Sequence, residues 1–357
     1  MSVAKRRLGV LSRSRAPSYP RFNLNNTTPN WYQIISKSEL AARKKRGIEV
    51  MAKFKVGAYR GFGLDNTNTY YKEDWDDLAA TKATVVRVPV WMYRAPTGTA
   101  YLDPDVSWLI NALKQCASRN IGVIVVLCPL PAFTESEFWE SPALQSEIIN
   151  KWVTIANKVK VYPSLVGYDL INEPVGGLPI PNDTAGTPLK KAVWEAFSQR
   201  ICTALRAADN ITPIIWEPYA WGLPDQFWLS EPPKISNLVL SFHWYEPREY
   251  THQGEPRVPL PAENYSSVLL EARLISARLG LPMYIGEFGT LRWSPDSNTW
   301  LNRAIALFKA ENWNWSVFLW RPKSDGWDYE VPITAEWMGA RDPTTPAITA
   351  IKAGIIA

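Results

Sequence analysis

Glu173 and Glu287 are the residues most suited to chemistry, because each lies at the end of a short apolar run. Glu173 sits in Asn172-Glu173-Pro174 after the run 165–171, and Glu287 follows the run 283–286. Other polar groups occupy the same kind of position. Arg87 lies in the run 84–90, Trp216-Glu217-Pro218 ends 212–216, His243-Trp244-Tyr245 follows 238–242, and Trp320-Arg321 ends 315–320. Paired carboxylates beside aromatic rings suit glycoside hydrolysis, in which one carboxyl moves a proton and the other works at the sugar carbon. Sugars present C–H faces that stack on Trp, and this chain has 18 Trp. A metal centre is not expected. There are only two histidines, His243 and His252, and the three cysteines, Cys116, Cys128 and Cys202, show no zinc-ligand spacing. No cofactor is predicted either, since no G-x-G-x-x-G or Walker loop follows any run.

These groups need elements that bring them to one rim. The eight apolar runs are 56–64, 84–90, 121–127, 165–171, 212–216, 238–242, 283–286 and 315–320. Between most of them lie stretches with helical periodicity, at 105–119, 143–160, 190–208, 266–279 and 297–312. In the first, Val106, Leu109, Ile110 and Leu113 recur at i, i+3, i+4 and i+7. Continuous apolar strands separated by helices argue for a buried parallel sheet. Eight such units predict an α/β fold, a (β/α)8 TIM barrel, over residues 54–357. In a barrel the groups after the strands share one end, which is where catalytic residues of this fold sit.

The charge divides the chain. Residues 1–50 hold 11 Lys and Arg against 2 Asp and Glu, while the remaining 307 hold 28 against 32. Residues 1–53 therefore read as a basic N-terminal arm, partly disordered or helical, with a basic helix at 37–53. The arm is a candidate dock for an acidic partner or particle; nucleic acid is not the expected partner. The apolar run at 8–11 is too short for the core of a secretory signal, and no stretch is long enough to span a membrane. The expectation is a cytoplasmic protein or one carried on a particle such as a virion, with export by another route as the alternative.

The ordered set Arg87, Asn172-Glu173-Pro174, His243-Trp244-Tyr245, Glu287-Phe288-Gly289 and Trp320 resembles the family 5 glycoside hydrolases, cellulase-like retaining enzymes. The resemblance spans about residues 54–340. It includes Tyr59-Arg60-Gly61 with Phe62 and Gly63 on the first strand, and Thr251-His252-Gln253-Gly254, which is similar to bacterial endoglucanases. It implies a (β/α)8 barrel and a double-displacement mechanism on a β-linked polysaccharide or oligosaccharide. Glu173 would be the acid/base and Glu287 the nucleophile. The negative charge on Glu287 would hold a proton on Glu173 until the glycosyl-enzyme forms. Arg87 and Tyr245 would hold Glu287, Asn172 would bind the sugar 2-hydroxyl, His243 would line the site, and Trp320 would lie beneath the reacting sugar.

One position departs from the family pattern. Where members carry histidine at the end of the third strand, this chain reads Val126-Leu127-Cys128-Pro129, and a thiol is a weak donor. Cys128 is not expected to be a nucleophile, having no histidine placed to activate it. Glu217 mimics the context of Glu173 without the preceding Asn, and reads as a subsite or structural residue. Trp91, Trp139, Trp221, Trp244 and Trp327 are candidate sugar platforms, and His252 either touches substrate or holds its loop. Other readings use the same residues: an exo-β-glucosidase, a transglycosylase, an exopolysaccharide depolymerase of phage-tail type, and a non-catalytic carbohydrate-binding barrel.

Overall fold

Each of the eight apolar runs becomes one parallel strand. The computed structural model describes residues 54–93, 104–130, 136–175, 188–262, 267, 269–323, 325–333 and 341–357. The strands are β1 (Arg60–Leu64), β2 (Val85–Tyr93), β3 (Gly122–Leu130), β4 (Leu165–Asp169), β5 (Ile214–Trp216), β6 (Leu238–Trp244), β7 (Met283–Phe288) and β8 (Asn314–Trp320). They pair in sequence order and close, β8 against β1, into the (β/α)8 barrel. The basic arm 1–53, with its expected helix, lies outside the described residues.

The helices are α1 (Lys72–Ala80), α2 (Ser107–Ala117), α3 (Ser136–Glu140), α4 (Pro142–Val159), α5 (Pro188–Ala208), α6 (Arg248–Thr251), α7 (Leu270–Leu279), α8 (Ser297–Ala310) and α9 (Pro346–Ile356). Periodicity places the longer ones. In α8, Trp300, Leu301, Ala304, Ile305 and Phe308 are buried, a stripe of helical spacing against the strands. Local chemistry sets their ends. Ser141 accepts from Leu144 N ahead of α4, whose first residue is proline. Gly280 ends α7 at φ 64, a left-handed conformation that suits glycine. Helices α1 and α9 were not anticipated. The last one packs on α8 and β1, and Arg60 donates to the carbonyls of Gly354 and Ile355 at its C-terminal end. Cationic side chains favour that end of a helix, so Arg60 serves stability.

Two apolar layers result. The larger lies between strands and helices. The smaller fills the barrel interior with Phe54, Tyr59, Val85, Ile124, Ile215, Val239 and Tyr284. Among the described residues, no helix is long and apolar enough to cross a membrane.

Candidate active site

Most of the polar residues after the runs meet inside the C-terminal end of the barrel, around Arg87, whereas Arg321 pairs with Asp74, Asp77 and Glu330. From β2, the Arg87 guanidinium reaches β4, β7 and the loop that follows β5. Nε donates to Asp169 Oδ2 at 2.8 Å, Nη2 to Glu217 Oε1 at 3.0 Å and Nη1 to Glu287 Oε1 at 2.6 Å. Burial opposes a charged guanidinium, but Asp169, Glu287 and Glu217 outweigh it and hold Arg87 firmly cationic. Asp169 was not anticipated. Burial raises it to about 7, against the pull of Arg87 and helped by Glu217.

Glu287 is held at both oxygens. Arg87 takes Oε1, and Tyr245 Oη donates to Oε2 at 2.8 Å. A register irregularity between β6 and β7 sets His243 opposite Glu287. His243 is 1% exposed. Its Nδ1 lies 2.8 Å from Glu173 Oε1 and 3.7 Å from Glu287 Oε2. Its Nε2 lies 3.1 Å from Glu217 Oε1, too oblique for a hydrogen bond. Burial disfavours the imidazolium, yet Glu217, Glu287 and Glu173 together raise its pKa well above the ordinary value. Gly286 makes room for this ring, since a Cβ there would stand 2.8 Å from His243 Nε2.

Glu173 has a left-handed backbone at φ 47. Its N–H donates to Glu217 Oε2 at 3.0 Å. Pro174 O accepts from Ala220 N, so the loop after β5 clasps this turn. Asn172 N bonds Leu127 O, while its half-buried side chain leaves Oδ1 without a protein partner. That oxygen can accept from a ligand. One ligand atom each from Glu173, His243 and Glu287 lies within 4.8 Å of the others. As a cation site this trio is poor, because Arg87, Tyr245 and the Glu173–His243 contact already use those atoms.

An aromatic wall flanks Glu287. The Tyr245 ring lies 5.0 Å from His252 and 5.7 Å from Trp327, and Trp327 lies 5.3 Å from Phe318. Burial and Arg248 push His252 down to about 4, so it is neutral near pH 7. Half-buried Trp91, near the end of β2, and the 39%-exposed Trp221, after β5, remain candidate platforms with Trp327.

Three sequence expectations are corrected. Trp320 is 2% exposed and packs on Phe62 at 4.9 Å. The half-buried aromatic that β8 brings to the wall is Phe318. Trp139 belongs to α3, is buried, and donates to Val175 O at 3.1 Å. Trp244 is buried against Trp300 at 5.4 Å. Glu217, read as a subsite or structural residue, is buried at 1% and faces protein groups, which is the structural one of those two readings. Cys128 is buried beside Trp91 in the sheet, and burial raises its thiol well above the ordinary range, so it stays protonated.

Comparison with known proteins places this geometry. The sequence model of the cellulase family, glycosyl hydrolase family 5, matches residues 49–324. The chain belongs to glycosyl hydrolase family 5. Endoglucanase C of Acetivibrio thermocellus is 20% identical over 220 residues, 57% of this family 5 chain and 61% of the relative. The chain thus spans about three-fifths of the length of that curated relative. Among solved structures, endoglucanase Cel5A from Thermotoga maritima matches with TM-score 0.67 at 19% identity, over 85% of this chain and 99% of that one. The cellulose synthase subunit Z from Clostridioides difficile matches with TM-score 0.65 at 18% identity, over 84% and 100%. At such identities these two likenesses show the barrel fold and no more.

Proposed function

We propose that this family 5 chain is a retaining β-glycoside hydrolase of endoglucanase type, acting on a β-linked glucan or related polysaccharide. The observation that carries this reading is the approach of the Glu173 and Glu287 carboxylates, which offer oxygens within 4.8 Å of each other. Retaining pairs stand about 5–5.5 Å apart, whereas inverting pairs stand about 6.5–9.5 Å apart to admit a water.

Glu287, oriented by Arg87 and Tyr245, attacks the anomeric carbon while Glu173 gives its proton to the departing glycosidic oxygen. A glycosyl ester on Glu287 forms and the glycosidic bond breaks. Water then attacks the same carbon, Glu173 takes its proton, and the Glu287 carboxylate leaves. His243, cationic beside both carboxylates, tempers their repulsion. The exposed and half-buried aromatic rings at the barrel mouth support a polymer substrate, as do relatives named endoglucanase.

The test is an activity screen on β-glucans, mannans, xylan and bacterial exopolysaccharides, with Glu287→Gln alongside. Products from one polymer, absent with the variant and retaining the anomeric configuration, support the proposal. Inverted product or equal turnover by the variant overturns it.

A further inference from the structure

Glu217 is a fully enclosed carboxylate that meets three parts of the site at once. Its Oε2 accepts from the Glu173 N–H at 3.0 Å, and its Oε1 meets Arg87 Nη2 at 3.0 Å and His243 Nε2 at 3.1 Å. The chain around it is arranged to keep it there. Trp194 Nε1 donates to the Glu217 carbonyl at 2.9 Å. Gly222, at φ 63, leaves the space the carboxylate fills, since a Cβ there would stand 2.6 Å from Oε2. The Gly222 carbonyl also accepts from His243 N at 2.8 Å. One short loop after β5 therefore grips both Glu173 and the ring beside it.

This matters because Glu173 is in a backbone region that side-chain-bearing residues avoid, at φ 47. Such a conformation persists when neighbours over-determine it, and a charged acceptor on the N–H is a strong restraint. The second restraint acts on the side chain: His243 Nδ1 lies 2.8 Å from Glu173 Oε1, and Glu217 stands on the far side of that ring.

We propose that Glu217 is a positioning residue for the proton-transferring carboxylate, fixing the main chain of Glu173 and the ring that contacts its side chain in one relation. This rests on the acid/base role proposed for Glu173. Arg87 keeps Asp169 and Glu287 without Glu217, so the effect falls on proton delivery more than on nucleophilic attack.

Leaving-group dependence reads this directly. A dinitrophenyl β-cellobioside departs without protonation, whereas a phenyl β-cellobioside needs it, and well-placed general acids contribute about 100-fold or more. In Glu217→Gln an amide N–H₂ must face a donor on one side or the other. Its kcat/KM should fall about 100-fold on the phenyl substrate and under about 10-fold on the dinitrophenyl substrate. Gly222→Ala keeps the carboxylate but displaces it, and should discriminate in the same direction, which covers a Glu217→Gln protein that does not fold. Glu173→Ala runs beside them. If it discriminates and neither Glu217→Gln nor Gly222→Ala does, the positioning role is overturned while the acid/base role stands. If Glu173→Ala also loses both substrates equally, or the wild type cleaves neither, the acid/base reading fails and takes this inference with it.

Discussion

Tyr245 Oη reaches Glu287 Oε2 at 2.8 Å, the one carboxylate oxygen that Arg87 leaves open. The phenol is itself anchored, because Thr251 Oγ1 donates to the Tyr245 carbonyl and the His252 and Trp327 rings pack beside it. A hydrogen bond to a charged acceptor contributes about 1.5–3 kcal/mol. Tyr245→Phe keeps the ring and removes the donor. Its kcat should fall about 10- to 100-fold in steady-state assays. A fall below about threefold would show that the bond orients nothing used in turnover.

The two carboxylates should fail differently. Glu287→Gln should abolish turnover on every substrate, since no glycosyl ester can form. Glu173→Ala should still release an activated leaving group, and azide should restore part of the rate by attacking the intermediate without a general base. Equal loss on activated and native substrates, with no azide rescue, would contradict that division of roles.

The end of β8 gives a test of which aromatic faces the cleft. Phe318→Ala should lower kcat/KM on oligosaccharides about 10-fold or more with a small change in melting temperature. Trp320→Ala removes a buried ring and should destabilise the protein by about 3–5 kcal/mol, measured by denaturant unfolding. The reverse pattern would return Trp320 to the cleft.

That pair also shows where the sequence could be read and where it could not. Glu173, Glu287, His243 and Tyr245 follow apolar runs, and in a barrel strand ends converge, so their meeting was legible. The reading of Trp320 as the ring beneath the sugar failed on register. Phe62 pairs with Val317 but Leu64 pairs with Trp320, an extra residue on β8 that alters which side chains face inward. Asp169 was hidden because it lies inside an apolar run, where only the arrival of Arg87 from β2 explains it. Glu217 was noticed, but its sequence context alone does not reveal that it turns toward protein groups. Trp139 and Trp244 were lost to packing, a fate that composition does not distinguish from sugar stacking.

His252 should shape the acid side of the stability curve. Its folded pKa of about 4 lies below the ordinary value, so between about 6.5 and 4 the unfolded chain binds the proton first. The contribution is therefore complete above about pH 6.5 and is lost as pH falls toward 4. Melting temperature against pH should be flatter over that interval in His252→Phe than in the wild type. Parallel curves would mean that the ring is protonated in the fold.

Four carboxylates, Asp169, Glu173, Glu217 and Glu287, crowd around one guanidinium and one imidazole. Such an excess of one sign opposes folding even as it serves reactivity. Activity and robustness are thus in tension at this centre, and the inactive protein should be the hardier one. Glu287→Gln, which still offers Arg87 an acceptor, should melt several degrees above the wild type by calorimetry. A lower melting point would show that Glu287 acts chiefly as a tie for Arg87.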